Sequence, residues 1–91
     1  MVMVTVRLFA TVREAAGASR LRLDVRDVDD LLMALRRGHG PAMSNLIDGY
    51  LADRERLVIL VNGRNHGPSS LKGLRLVAGD EVAIFPPVSG G

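Results

Sequence analysis

Two short segments near the start of the chain alternate apolar and polar side chains, and this alternation is the strongest constraint on the fold. They cover residues 2–8 and residues 21–25. A period of two places every second side chain on the same face of a β-strand, so we expect two strands, each with one buried face. Thr11 and Glu14 match a capping box and Gly17 ends the pattern, which predicts a brief helix in an antiparallel connection.

A helical pattern with well-marked ends follows the second strand. Asp27 is expected to cap this helix, and Gly38 is expected to stop it. Between them the apolar residues recur at positions i, i+3, i+4 and i+7, namely Val28, Leu31, Leu32 and Leu35. Such a stripe packs one face of a helix against a sheet, so the sequence predicts a two-layer α+β domain.

The stretch from residue 38 to residue 56 predicts less regular structure. Residues 38–41 contain two glycines and a proline and are expected to form a loop. Residues 42–47 have helical spacing and predict a short helix, which Asp48-Gly49 is expected to interrupt. The charged residues 53–56 then predict a solvated link.

The next segment predicts a hairpin. Residues 57–61 form a continuous apolar run, which predicts a strand buried on both faces. Asn62-Gly63 is a strong signal for a tight hairpin turn, and residues 64–66 are expected to return as a short edge strand. Residues 67–79 are expected to be irregular, with four apolar anchors into the core: Leu71, Leu74, Leu76 and Val77.

The end of the chain predicts a strand followed by a flexible tail. Residues 81–85 have strand composition, and Pro86 and Pro87 end the pairing because proline has no N–H to donate. Residues 86–91 reach about 20 Å at 3.3 Å per residue. Gly90 and Gly91 have no Cβ, so they can pass through a narrow channel and present a terminal carboxylate to another protein. The alternative is a frayed end without function.

Composition excludes several classes of function. The chain has 91 residues, which suits a single domain over residues 1–91, and it has no cysteine for disulfides, zinc or a side-chain thiol. Its net charge is +2 and its basic residues are dispersed, so we expect no nucleic-acid partner. No apolar run reaches a membrane span and no signal peptide is recognisable, which predicts a cytoplasmic protein. The dispersed histidines predict no metal site.

Residues at both ends of the chain resemble the MoaD family, the small subunits of molybdopterin synthase. The matching stretches are residues 6–14 (VRLFATVRE), residues 61–65 (VNGRN) and residues 79–91 (GDEVAIFPPVSGG). The resemblance implies a β-grasp, ubiquitin-like fold with a mixed sheet of about five strands and a helix across one face. It also implies that the first and last strands lie side by side and parallel at the centre of that sheet.

The resemblance further implies a sulfur carrier that binds no cofactor of its own. A MoeB-like, ubiquitin-activating-type partner would use ATP to adenylate the carboxylate of Gly91, and a sulfur donor enzyme would convert it to a thiocarboxylate. The tail, formed by Pro86, Pro87, Val88, Ser89 and Gly90, would thread into a MoaE-like large subunit. That subunit would transfer sulfur to cyclic pyranopterin monophosphate in molybdenum cofactor biosynthesis.

Three residues outside the tail are expected to bind these partners. Phe9 and Phe85 lie opposite the inward-facing residues of neighbouring strands, which favours an exposed aromatic patch over packing beneath the helix. Arg13 is expected to add a charged contact at its rim, the alternative being a solvated turn. The same chemistry at Gly91 leaves two other functions open: a ubiquitin-like modifier of lysines and a ThiS-like carrier for thiazole synthesis. A plain interaction module is the remaining alternative.

Overall fold

A computed structural model describes residues 1–87, and they form a five-stranded sheet with helices packed against it. A 3₁₀ turn, Arg54–Arg56, separates the third helix from the third strand. The other elements are, in chain order, β1 (Val2–Leu8), α1 (Ala10–Ala16), β2 (Arg20–Val25), α2 (Val28–Gly38), α3 (Gly40–Ala52), β3 (Val58–Val61), β4 (Arg64–Asn65), α4 (Pro68–Leu71) and β5 (Glu81–Phe85).

The sheet has the order β2-β1-β5-β3-β4. Strand β1 pairs antiparallel with β2 and parallel with β5, and β5 pairs antiparallel with β3. This confirms the mixed sheet, and it confirms that the first and last strands are parallel neighbours, as expected of a β-grasp fold. Because they are parallel, both strands terminate at the same end of the sheet, so the tail leaves the fold beside the end of β1.

The hydrophobic core lies between one face of this sheet and the helices. Every buried strand residue belongs to that face, for example Val6 on β1 and Ile84 on β5, both 0% exposed. Helix α2 contributes the four residues of its apolar stripe, all of them buried: Val28, Leu31, Leu32 and Leu35. The sequence therefore predicted the main packing contact correctly.

The start of α2 also forms as expected. The backbone N–H of Asp30 donates to Asp27 Oδ1 at 2.7 Å, which satisfies one of the free N–H groups of the first turn. The carboxylate of Asp30 in turn accepts from the N–H of Arg26 at 3.0 Å. Local hydrogen bonding by aspartates thus sets where the helix begins.

Helix α3 is longer than the sequence predicts. It runs over 13 residues from Gly40 to Ala52, so it begins inside the segment 38–41 that was expected to be a loop, and it continues through Asp48-Gly49 rather than stopping before it. The prediction was wrong because tertiary packing outweighs the intrinsic cost of one helical glycine, about 1 kcal/mol. Three side chains on one side of α3 are buried, namely Met43, Ile47 and Tyr50. The charged link at residues 53–56 is largely exposed, as expected, and Arg54–Arg56 form a 3₁₀ turn within it.

Asp48 helps to hold α3 against α2. Arg36 Nε donates to Asp48 Oδ1 at 2.8 Å, and Arg36 Nη2 donates to Oδ2 at 3.3 Å. This hydrogen bonding lowers the pKa of Asp48 and raises that of Arg36. The residue that suggested a break therefore links the exposed sides of α3 and α2.

Three smaller expectations were also wrong. Helix α1 begins at Ala10 after Phe9, without a side-chain cap from Thr11. The 67–79 segment contains the short helix α4, and its expected anchor Val77 is 63% exposed. Strand β3 is not buried on both faces, because only alternate residues of it are buried.

A network of hydrogen bonds joins the β3–β4 turn to the start of β5. Asn62 and Gly63 have φ values of +52° and +78°, as a tight hairpin turn requires. Asn62 Nδ2 donates to Asp80 Oδ1, and Asn62 Oδ1 accepts from the N–H of Glu81, both at 2.9 Å. Asp80 Oδ2 also accepts from the N–H of Val77. The turn therefore fixes the entry into the central strand.

Candidate functional site

Phe9 and Phe85 meet at the end of the sheet where the central strands β1 and β5 terminate. Their rings are stacked, with centroids 4.3 Å apart and planes inclined by 8°. Both side chains are half-buried. The backbone N–H of Phe9 donates to the carbonyl of Ile84 at 3.2 Å, which extends the parallel pairing just far enough to bring the two rings together. The family resemblance implied that they lie on neighbouring strands; their role in binding a partner stays a prediction.

The backbone after Phe9 turns sharply. Ala10 has φ +52°, a left-handed conformation that costs a residue with a Cβ about 1–2 kcal/mol. This turn leads the chain into α1, whose Val12 is buried in the core, while Phe9 stays on the outside of the sheet. No sequence signal marked this position, because alanine has no preference for the left-handed region.

The aromatic pair belongs to a larger apolar surface. We call the five half-buried residues Phe9, Val58, Leu60, Ala83 and Phe85 the open-face patch. Val58 is the register partner of Phe85, and Leu60 is that of Ala83, so all four point to the side of the sheet away from the core. Contiguous apolar surface rimmed by polar residues is typical of a protein interaction site.

The sequence missed Val58 and Leu60. They lie in an unbroken apolar run, in which no alternation distinguishes an outward residue from an inward one. Only the pairing of β3 with β5 determines which side chains of the run face the open side. Composition alone therefore overestimated the burial of this strand.

The tail begins beside α3. Pro86 is half-buried and Pro87 is exposed, and the two line a cleft of about 300 Å³ together with Leu46, Gly49 and Arg56, and with Asn45. The sequence did not connect α3 with the tail, since it predicted that the helix would end before Gly49. The remaining tail residues, Val88, Ser89, Gly90 and Gly91, lie outside the described residues, and their roles stay predictions.

Arg13 lies on α1 with its side chain exposed and lines a second cleft with Phe9. The structure therefore brings Phe9, Arg13 and Phe85 to the same edge of the sheet, next to the start of the tail. Within residues 1–87, His, Asp and Glu side chains form no group of three that could hold a metal ion. In the same range, every helix is too short or too polar to cross a lipid bilayer. What the arrangement offers is an apolar surface beside the start of the tail.

Known proteins resemble this chain over nearly its whole length. Small archaeal modifier protein 1 of Haloferax volcanii is 40% identical over 91 aligned residues, which cover 93% of this chain and 97% of the relative. A crystal structure of small archaeal modifier protein 1 from H. volcanii is 41% identical with a TM-score of 0.75, covering 98% of this chain and 99% of that one.

A more distant solved structure comes from Pyrococcus furiosus. This protein, assigned as molybdopterin converting factor, subunit 1, is 26% identical with a TM-score of 0.70, and the match covers 97% of this chain and 100% of that one. The sequence pattern of the ThiS family matches residues 6–91. With its sheet order and these matches taken together, the chain belongs to the ThiS family of ubiquitin-like β-grasp proteins.

Proposed function

We propose that this chain is a ubiquitin-like protein modifier, activated at the carboxylate of Gly91 and joined to lysine side chains of other proteins. The observation that carries the proposal is the 40% identity to small archaeal modifier protein 1 over almost all of both chains. This favours the modifier over the sulfur carrier that the ends of the sequence first suggested. The open-face patch supports it further, since a partner enzyme can hold this surface while the tail enters its active site.

The proposed chemistry needs no catalytic group on this chain. An oxygen of the Gly91 carboxylate attacks the α-phosphorus of ATP in the activating enzyme, pyrophosphate leaves, and an acyl adenylate forms. The ε-amine of an acceptor lysine then attacks the carbonyl carbon, AMP leaves, and the nitrogen loses a proton as the isopeptide bond forms. The modifier itself supplies the binding surface and a tail that fits a narrow channel.

Mass spectrometry of tagged protein from its native cells tests the proposal. The last basic residue before the tail is Arg75, so trypsin leaves residues 76–91 attached to the acceptor lysine. The expected result is a set of lysine-containing peptides branched with this segment. A Ser89→Arg variant shortens the remnant to Gly-Gly and confirms the assignment. Deletion of Gly91 is the control and should remove every branched peptide without changing the melting temperature, because the core described within residues 1–87 is complete at Ile84.

A sulfur carrier is the second candidate, supported by the 26% identity to the P. furiosus molybdopterin converting factor subunit. Here a sulfide equivalent from a donor enzyme displaces AMP from the same adenylate and leaves a thiocarboxylate on Gly91. A MoeB-like enzyme would activate the chain, and a MoaE-like large subunit would pass the sulfur to cyclic pyranopterin monophosphate. Use of the same thiocarboxylate for thiazole synthesis is a variant of this candidate.

Intact-mass measurement separates the two functions. A fraction of protein heavier by the exchange of one oxygen for one sulfur supports the carrier. If that form is present and branched peptides are absent from the same cells, the modifier proposal is refuted. Both observations together indicate one adenylate used by two pathways.

A further inference from the structure

Two arginines stand directly opposite each other on the open face of the sheet. Arg7 on β1 and Arg20 on β2 are register partners, and both side chains are exposed. Like charges at directly opposed positions destabilise a pair of antiparallel strands. A sequence that places like charges at opposed strand positions in this way usually does so for function.

A third arginine converges on the same place. Arg7, Leu8, Phe9, Arg13, Ser19 and Arg20 line a cleft of about 440 Å³, which we call the arginine cleft. Three of the six lining residues carry a positive charge and none carries a negative one. Within residues 1–87, the carboxylate in salt-bridge range of these arginines is that of Glu81, whose Oε1 lies 3.7 Å from Arg7 Nη1. Both partners of that pair are nearly half exposed, so solvent screens it strongly.

The arginine cleft is continuous with the open-face patch. Phe9 belongs to both, and the guanidinium carbon of Arg7 lies 5.4 Å from the centre of its ring. Arg13 and Phe9 also lie at the end of the sheet from which the tail departs. Charge and apolar surface therefore share the open face of the sheet, next to the strand ends from which the tail departs, which suits a partner that contacts all three.

We propose that the arginine cleft receives Asp and Glu side chains of the protein that activates the tail; the identity of that protein rests on the proposed function. Guanidinium groups bind carboxylates in a bidentate fashion, and arginine is enriched in protein interfaces. A protein fits better than a nucleic acid, because each of the two phenylalanine rings has one face covered by the other ring, and the net charge of the chain is only +2. Bound carboxylates would also relieve the repulsion between Arg7 and Arg20.

Steering by such a cleft changes the rate of encounter and its dependence on salt. Complementary charge raises association rates by about 10–1,000-fold at low ionic strength, and salt screens this gain. The inference therefore predicts an activating enzyme with an acidic surface beside its adenylation site, and a strongly salt-dependent reaction.

The test measures adenylation of this protein by the ubiquitin-activating-type enzyme from its native cells. The reaction is followed as ATP–pyrophosphate exchange. The variant Arg7→Gln/Arg20→Gln removes two charges from the arginine cleft. The control Arg37→Gln/Arg64→Gln removes two exposed charges from α2 and β4, so both proteins have the same net charge. We expect the cleft variant to lose about tenfold in kcat/KM at low salt, to lose much less at high salt, and to melt no lower than the wild type.

Three outcomes overturn the inference. In the first, the cleft variant and its control have equal kcat/KM and equal salt dependence. In the second, inorganic phosphate at millimolar concentration stabilises the wild type and not the cleft variant, which would indicate a small-anion site. In the third, the wild type is adenylated equally fast at low and high salt. If the enzyme does not adenylate the wild type at all, the proposed function fails; calorimetric binding of the same enzyme without ATP then decides the role of the cleft.

Discussion

Replacement of Gly49 by alanine tests whether α3 is one continuous helix. Gly49 lies in the interior of α3, and its φ is outside the left-handed region that favours glycine. A Cβ built at this position lies 3.4 Å from Cδ of Arg56 and 3.6 Å from its Nη1. The first distance is ordinary van der Waals contact with a side chain that is 68% exposed and free to adjust. Alanine therefore meets no rigid obstacle.

The expected effect is a gain in stability. Alanine is favoured over glycine in a helix interior by about 1 kcal/mol, because glycine loses more backbone entropy on folding. For a domain of this size, 1 kcal/mol raises the melting temperature by about 4–8 °C. Circular dichroism during heating and urea denaturation with an unchanged m-value would measure the change.

Gly17→Ala is the matched control. Gly17 follows α1 with φ +73°, where a Cβ is strained, so the same substitution should lower stability by about 1 kcal/mol. Opposite signs at the two positions are the prediction. If Gly49→Ala also lowers the melting temperature, residues 48–49 form a break in the helix, and the account of how α3 borders the tail is wrong.

Three further substitutions probe the turn, the helix pair and the open-face patch. Asn62→Ala should lower the free energy of unfolding by about 2 kcal/mol, because it removes hydrogen bonds to Asp80 and Glu81 and leaves alanine at φ +52°. Urea denaturation measures this change, and an unchanged midpoint would contradict it. Asp48→Asn should lower stability at pH 7 but not at pH 2. The hydrogen bond from Arg36 lowers the pKa of Asp48 in the folded state, so its contribution is complete above the ordinary value of 3.8 and is lost as the pH falls through the folded value. A difference that persists at pH 2 would disprove this cause. Phe85→Ala should lower kcat/KM for adenylation at least tenfold with unchanged secondary structure, and wild-type kinetics would remove the open-face patch from the site.

Local rules accounted for much of the architecture. Alternation identified β1 and β2, the spacing of Val28, Leu31, Leu32 and Leu35 identified α2, and Asp27 marked its start. Each signal depends on residues within one or two turns or strand repeats of each other, so the chain carries them without any tertiary contact. The tail chemistry expected at Gly91 likewise depends on residue type alone.

Long-range pairing determined what the sequence left open or misjudged. Gly49 was expected to interrupt a helix, but burial of Ile47 and Tyr50 holds that helix together. Val58 and Leu60 were expected to be buried, but their pairing with β5 turns them outward. No local pattern contains these contacts, because the residues that create them are distant along the chain.

The candidate site divides in the same way. Sequence alone determined that this chain has a sheet covered by an amphipathic helix and an ending in which proline stops the last strand and glycine follows. Only the tertiary structure decided that Phe9 stacks on Phe85, that Arg7 faces Arg20, and that α3 borders the start of the tail. The reason is physical: strand register and helix packing bring together residues that are distant along the chain, and both are set by the burial of the whole core.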